Sequence, residues 1–161
     1  MAKPKPALRK QVAALPIRRD AEGELRVLLI TSRETQRFIL PKGWPMKGRK
    51  DHRAAAIEAM QEAGVIGAVH RKPIGSFVYW KRLADRFDLC KVKVFVLEVE
   101  THLASWREKG QRRAAWLRVD DAADLVDDAG VVDIIRSLPK VLAHRKGVRA
   151  KPHKRKKKAA G

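Results

Sequence analysis

Leu40-Pro41-Lys42-Gly43-Trp44-Pro45, followed after a basic loop by Asp51-His52-Arg53-Ala54-Ala55-Ala56-Ile57-Glu58-Ala59-Met60-Gln61-Glu62-Ala63-Gly64-Val65, is the stretch on which the fold turns. Pro41 to Lys50 holds two Pro and two Gly, with three Lys and one Arg between them, so no regular structure is expected there. A helix should begin at Asp51, which offers an N-cap. Ala54, Ala55, Ala56, Ala59 and Ala63 carry it forward, and Gly64 fits the position that ends it. Glu58 and Glu62 are four residues apart and share a helix face; Gln61, three from Glu58, joins them. Two carboxylates one turn apart, beside a Gly-rich loop, supply oxygen ligands for a hard cation. Mg²⁺ takes few carboxylates and completes its shell with water and substrate phosphate. Glu pairs are also common on solvated helix faces, and spacing alone favours that plainer reading.

Outward from this segment the pattern is mostly β. Gln11 to Arg19 reads as a strand, Asp20 to Glu24 as a polar turn, Leu25 to Ile30 as a buried strand and Phe38-Ile39-Leu40 as a short one. Beyond the helix, Ile74–Lys81, Leu89–Val99 and Ala114–Val119 read as strands. A helix should start near Asp121, capped by Asp120, and Val131 to Ala143 has helical spacing that Pro139 should bend or interrupt. The order predicts an α/β (α+β) fold with a mixed β-sheet sandwiched between helices. Residues 1–10 read as a flexible arm, 11–143 as the domain, and 144–161 as a disordered basic tail.

The net charge of +19 is unevenly placed. Residues 144–161 hold nine Lys/Arg and no acid, which leaves 28 Lys/Arg against 18 Asp/Glu, or +10, in the rest. A basic body suits polyanions such as nucleotides, polyphosphate or nucleic acid, although charge also serves solubility. The run Lys154-Arg155-Lys156-Lys157-Lys158 offers nonspecific contact with nucleic acid or another polyanion, or is a solvated tail with no partner. No apolar run approaches the ~20 residues that span a bilayer, and Met1-Ala2-Lys3-Pro4-Lys5-Pro6 lacks a signal-like stretch. Cys90, alone, forms no internal disulfide and reads as a small core residue. These features point to a cytoplasmic protein without a membrane partner.

Residues 43–65 resemble the Nudix box, whose pattern is Gly, five residues, Glu, seven residues, then Arg-Glu-apolar-x-Glu-Glu-x-Gly-apolar. Gly43, Glu58, Ala59, Glu62, Gly64 and Val65 fall on its positions without a gap. The lead-in Leu40-Pro41-Lys42-Gly43 is similar to Nudix proteins of the diphosphoinositol polyphosphate phosphohydrolase-like branch. The resemblance runs from about Gln11 to Leu142 and includes Thr31-Ser32-Arg33 and Lys109-Gly110-Gln111-Arg112 before Trp116. It implies a Nudix fold and a pyrophosphohydrolase using Mg²⁺ (or Mn²⁺). It further implies Glu58 and Glu62 as metal ligands, with Gln61 beside them in the catalytic set. Arg33, Arg37, Lys42 and Gly43 are its implied substrate-binding residues, since cations stabilise charge on a transferring phosphoryl group. Arg33 and Arg37 read equally well as solvated loop residues. Lys47, Arg49 and Lys50 add charge around the same loop and favour a long polyphosphate.

Three departures make the box degenerate. Arg49 stands where the family has Glu, Ile57 where it has Arg, and Gln61 where it has the first Glu of the pair. The first two look like a coordinated exchange: an ion pair lost as a whole, with Ile57 offering apolar contact. Gln61 can ligate through its amide oxygen but carries no charge and is no base. Weaker metal binding, or fewer ions, is expected. Candidates for the general base are Glu58, a hydroxide on the metal, and Glu108. Candidate substrates are nucleoside or dinucleoside polyphosphates, diphosphoinositol polyphosphates and inorganic polyphosphate. The alternative is a catalytically weak Nudix-fold module that binds nucleotide or RNA.

Overall fold

Alternation along one strand divides the core in two. In β1 (Leu8–Arg19), residues 11 to 17 are all buried, with Ala13, Leu15 and Ile17 in one apolar cluster and Val12 and Ala14 in another. A strand buried on both faces belongs at the centre of a sheet, and β1 runs parallel to β7 (Phe87–His102) from Leu8↔Leu89 to Ile17↔Glu98. These coordinates are a computed structural model that describes the backbone of residues 8–160 and the side chains of residues 8–145.

Around the β1–β7 pair the other strands are antiparallel. β2 (Leu25–Thr31) pairs with β1 across a turn. There the Asp20 carboxylate accepts the amides of Glu22 and Glu24 and pairs with Arg26. β3 (Phe38–Ile39) and β8 (Ala114–Arg118) pair with β2, while β4 (Lys42–Gly43) pairs with β1. On the far side of β7, β5 (Val65–Val69) and β6 (Gly75–Arg82) follow one another along its length. α1 (Asp51–Ala63) lays Ala54, Ala55, Ala59 and Ala63 on one face of the sheet. α2 (Val119–Leu125) and α3 (Ala129–Ala160) cover the other face with Ala122, Ala123, Ile134, Ile135 and Leu138. Helices on both faces of a mixed sheet is the architecture expected from the element order. Among the described residues no helix is long and apolar enough to cross a membrane.

Several local expectations are corrected. The segment 41–50 is not wholly irregular, because β1 leaves pairing groups open at Val12 and Ala13, which Lys42 and Gly43 take up as β4. Leu8, Arg9 and Lys10 belong to β1: their side chains are exposed, but their backbones pair with β7. Residues 1–7 lie outside the described residues. The N-cap is Lys50 rather than Asp51. Asp51 sits in the first turn, where a carboxylate suits the helix dipole, and it pairs with Lys93 at 3.2 Å. Pro139 does not interrupt α3, whose buried Ile135 and Leu138 bind it to the sheet across the lost hydrogen bond. The backbone of α3 runs on as helix through residues 144–160. The side chains past Arg145, the 154–158 run among them, lie outside the described residues. Cys90 is buried and free in β7, the core role expected of it.

Candidate metal and phosphate site

The end of α1 is set by glycine chemistry. Gly64 has φ +70°, a left-handed conformation that costs a side chain, and a Cβ there would also run into the Trp106 ring. With the helix stopped there and its alanines on the sheet, Glu58 and Glu62 fall on the margin beside β4. Gly43 lies directly against the Glu58 carboxylate, in space that a Cβ would take from it. The Lys42 amide donates to Glu62 Oε1 at 3.2 Å. The two carboxyl groups are close enough to hydrogen-bond to each other.

Electrostatics follow from that proximity. Burial pushes the Glu58 carboxyl above its usual range, against the help of its hydrogen bond with Glu62. Glu62 is raised to about 7, chiefly by burial, with Arg112 opposing and the Glu58 charge adding to the rise. Two adjacent carboxylates, Glu62 buried and Glu58 half-buried, are costly with both charges bare, and either a shared proton or a cation relieves the cost. The donor set therefore fits one hard divalent cation held by Glu58 and Glu62. Among the described residues no three His, Cys, Asp or Glu side chains gather as a metal cluster.

A pH dependence follows with a definite sign. The folded protein holds the Glu62 proton up to about pH 7, whereas an unperturbed Glu releases it near 4.5. The group's stabilising contribution is therefore full below pH 4.5 and is lost as pH rises through 7. In chelator, the melting temperature of the parent should decline over that window relative to Glu62→Gln, whose side chain does not titrate. Parallel profiles for the two proteins would show that Glu62 does not carry the shift.

The carboxylates have a cationic neighbour with no role in the sequence reading. Arg112 is nearly buried. It donates to Glu108 Oε1 at 2.9 Å and to the Thr31 carbonyl at 3.1 Å, and stands 3.9 Å from Glu62 Oε2. Only folding brings it here; its sole sequence signal was membership of the Lys109-Gly110-Gln111-Arg112 segment. Glu108 reaches the site through its backbone too, donating its amide to the Gln61 carbonyl at 3.0 Å. The Gln61 side chain is half-buried.

Of the four expected substrate contacts, Lys42 and Gly43 meet the carboxylates directly. Lys42 lies at a crossing: its amide serves Glu62, while its ammonium turns to the other sheet face, 5.0 Å from the Tyr79 ring centre. Burial lowers its pKa, with Glu62 opposing. There it lines a cleft of about 330 Å³ with Arg37, Phe38, Phe77, Tyr79 and Val131. Arg37 is exposed on the rim, 3.5 Å from Asp127. Arg33 is not in this cleft: it hydrogen-bonds Gln111 and stands 4.0 Å from Glu108, on the α1 side. The Trp44 ring has the Arg9 guanidinium 4.6 Å and the Lys81 ammonium 5.9 Å from its centre. Lys47, Arg49 and Lys50 are exposed, and Ile57 is half-buried outside both core clusters. A larger groove, about 720 Å³, runs under α3 beside Arg18 and Arg145, away from the carboxylates.

No family model matches the chain. Individual proteins do. Nudix hydrolase 13, mitochondrial, of Arabidopsis thaliana is 35% identical over 112 residues, covering 66% of this chain and 55% of that protein. Diphosphoinositol polyphosphate phosphohydrolase 3-beta of Bos taurus is 32% identical over 116 residues, covering 71% and 66%. The chain spans about half the length of the plant relatives it matches, between 54% and 58% for four of them. The structure of a C. elegans Ap4A hydrolase binary complex superposes with a TM-score of 0.63 at 20% identity, covering 84% of this chain and 98% of that one. The NUDIX domain of Shewanella oneidensis NrtR complexed with ADP ribose gives 0.62 at 11% identity, covering 84% and 89%. A mixed sheet between helices, with a glycine loop feeding a carboxylate-bearing helix, is thus a Nudix fold. The chain belongs to the Nudix hydrolase family, and its relatives include diphosphoinositol polyphosphate phosphohydrolases.

Proposed function

We propose that this chain hydrolyses a phosphoric anhydride bond in a densely phosphorylated small molecule: a nucleoside or dinucleoside polyphosphate, a diphosphoinositol polyphosphate or polyphosphate. One observation carries the reading. Glu58 and Glu62 lie together under Gly43, and Lys42 joins them through its backbone to a cleft whose wall and rim bear its own ammonium and Arg37. Mg²⁺ or Mn²⁺ held by Glu58 and Glu62 would polarise a phosphoryl oxygen and orient the attacking water. The protein's own part is positional and electrostatic. Lys42 and Arg37 bind the phosphate chain and offset its growing charge. The Lys42 amide and Arg112 hold the Glu62 carboxylate in place. Glu58 or Glu108 takes the proton of the water as its oxygen bonds to phosphorus and the bridging P–O bond breaks. Two phosphate-ended products leave.

A second reading, a Nudix-fold module that binds nucleotide or RNA with little turnover, draws on Gln61 and Arg49, which stand where the family has Glu. Gln61→Glu separates the two. A further charge beside a hard-cation site should tighten Mg²⁺ binding, by roughly tenfold given the sensitivity of such sites to ligand charge. Hydrolysis of a diadenosine polyphosphate across a Mg²⁺ titration should then saturate earlier in the variant than in the parent. A parent without turnover, whose ligand affinity ignores Mg²⁺ and Mn²⁺, would establish the binding module instead. A cytoplasmic location belongs to the same proposal. The plant relatives carry mitochondrial names, and subcellular fractionation decides between the compartments.

A further inference from the structure

The sheet face that carries α1 is only partly covered. α1 seats on Val12, Phe95 and Leu97. Toward the other end of β1 and β7, and across β6, four large apolar side chains stand in solvent: Leu8, Val78, Trp80 and Phe87, each 50 to 59% exposed. Register places them on one face. Leu8 aligns with Leu89, Leu89 with Trp80, and Phe87 with Arg82, while buried Phe77, Cys90 and Val92 take the alternate positions. Trp80 also borders the cleft.

The polar residues interleaved on this face share one sign. Lys10, Arg82 and Lys91 are exposed, and none is paired with an acid among the described residues. Lys93, the next on the face, is the one tied to Asp51. The neighbouring acid Asp88 has the opposite parity and is held by Arg9 and Arg86. Two exposed aromatics on paired strands, bracketed by unpaired cations, combine base stacking with phosphate neutralisation. A second copy of the chain laid on the same patch would set cation against cation, whereas a polyanion with flat bases satisfies both halves of it.

We propose that this β1–β7–β6 face binds single-stranded nucleic acid, with Trp80 and Phe87 stacking bases and Lys10, Lys91 and Arg82 following the backbone. The site is separate from the Glu58–Glu62 carboxylates.

The test uses fluorescence anisotropy of a labelled oligodeoxythymidylate with the whole chain, alongside inorganic polyphosphate as a polyanion without bases. Phe87→Ala should weaken the oligonucleotide by about tenfold, the scale of one lost stack, and leave polyphosphate affinity unchanged. Lys91→Glu should weaken it too and flatten its salt dependence. Phe87 is exposed, so both variants should melt with the parent. Should Phe87→Ala misfold, Lys91→Glu together with quenching of Trp80 fluorescence by the oligonucleotide reads the same face. Oligonucleotide binding indifferent to both variants, or absent from the parent, overturns the proposal. So does a parent dimer on gel filtration that Phe87→Ala turns into a monomer, because a second copy would then be what covers the face.

Discussion

Glu62→Gln should lower hydrolysis of a diadenosine polyphosphate by about a hundredfold or more at every Mg²⁺ concentration. Losing a residue that merely orients a metal ligand commonly costs 10- to 100-fold, so losing one of the two proposed charged ligands should cost no less than about the top of that range. The fold should not suffer. A Gln oxygen still accepts the Lys42 amide, and the exchange removes a charge whose burial is unfavourable above about pH 7. The combination is diagnostic: activity collapses while melting at pH 8 is equal or higher. Full activity in the variant would place catalysis elsewhere.

Gly43→Ala should reach a comparable loss by another route. The new methyl takes space now filled by the end of the Glu58 side chain, which is flexible and will swing away. Gly43 has no left-handed backbone to lose, and Ala in its place limits the unfolded chain, so stability should change by no more than about 1 kcal/mol. A displaced carboxylate still costs turnover, about a hundredfold for a shift near 1 Å. Kinetics beside thermal melts check this. A variant as active as the parent would mean that Glu58 does not need its present place.

What could be read before folding was what neighbours in sequence decide. α1 was legible because alanines, a glycine stop and carboxylates one turn apart are local signals. Glu58 and Glu62 do lie together, and Lys42 and Gly43 do adjoin them. Arg112 was not legible, since its approach to Glu62 depends on where β8 returns to β2. Arg33 could not be placed for the same reason: Gln111 and Glu108 draw it to the α1 side. β5 went unseen because Gly67 and Ala68 are weak strand formers, and only the open edge of β7 makes Val65–Val69 extended. β4 escaped notice because two residues between prolines show no periodicity.

The bond from the Glu108 amide to the Gln61 carbonyl bears on how this site can change over generations. The loop that delivers Glu108 and Arg112 is fastened to the main chain at position 61, and every amino acid supplies that carbonyl. If the proposed metal site holds, drift at this codon would raise or lower the appetite for metal while the loop stays docked. On the proposed metal site, position 61 would act as a dial on an otherwise finished scaffold, and a lineage carrying this architecture would move between vigorous hydrolysis and mere retention of a phosphorylated ligand by substitution there.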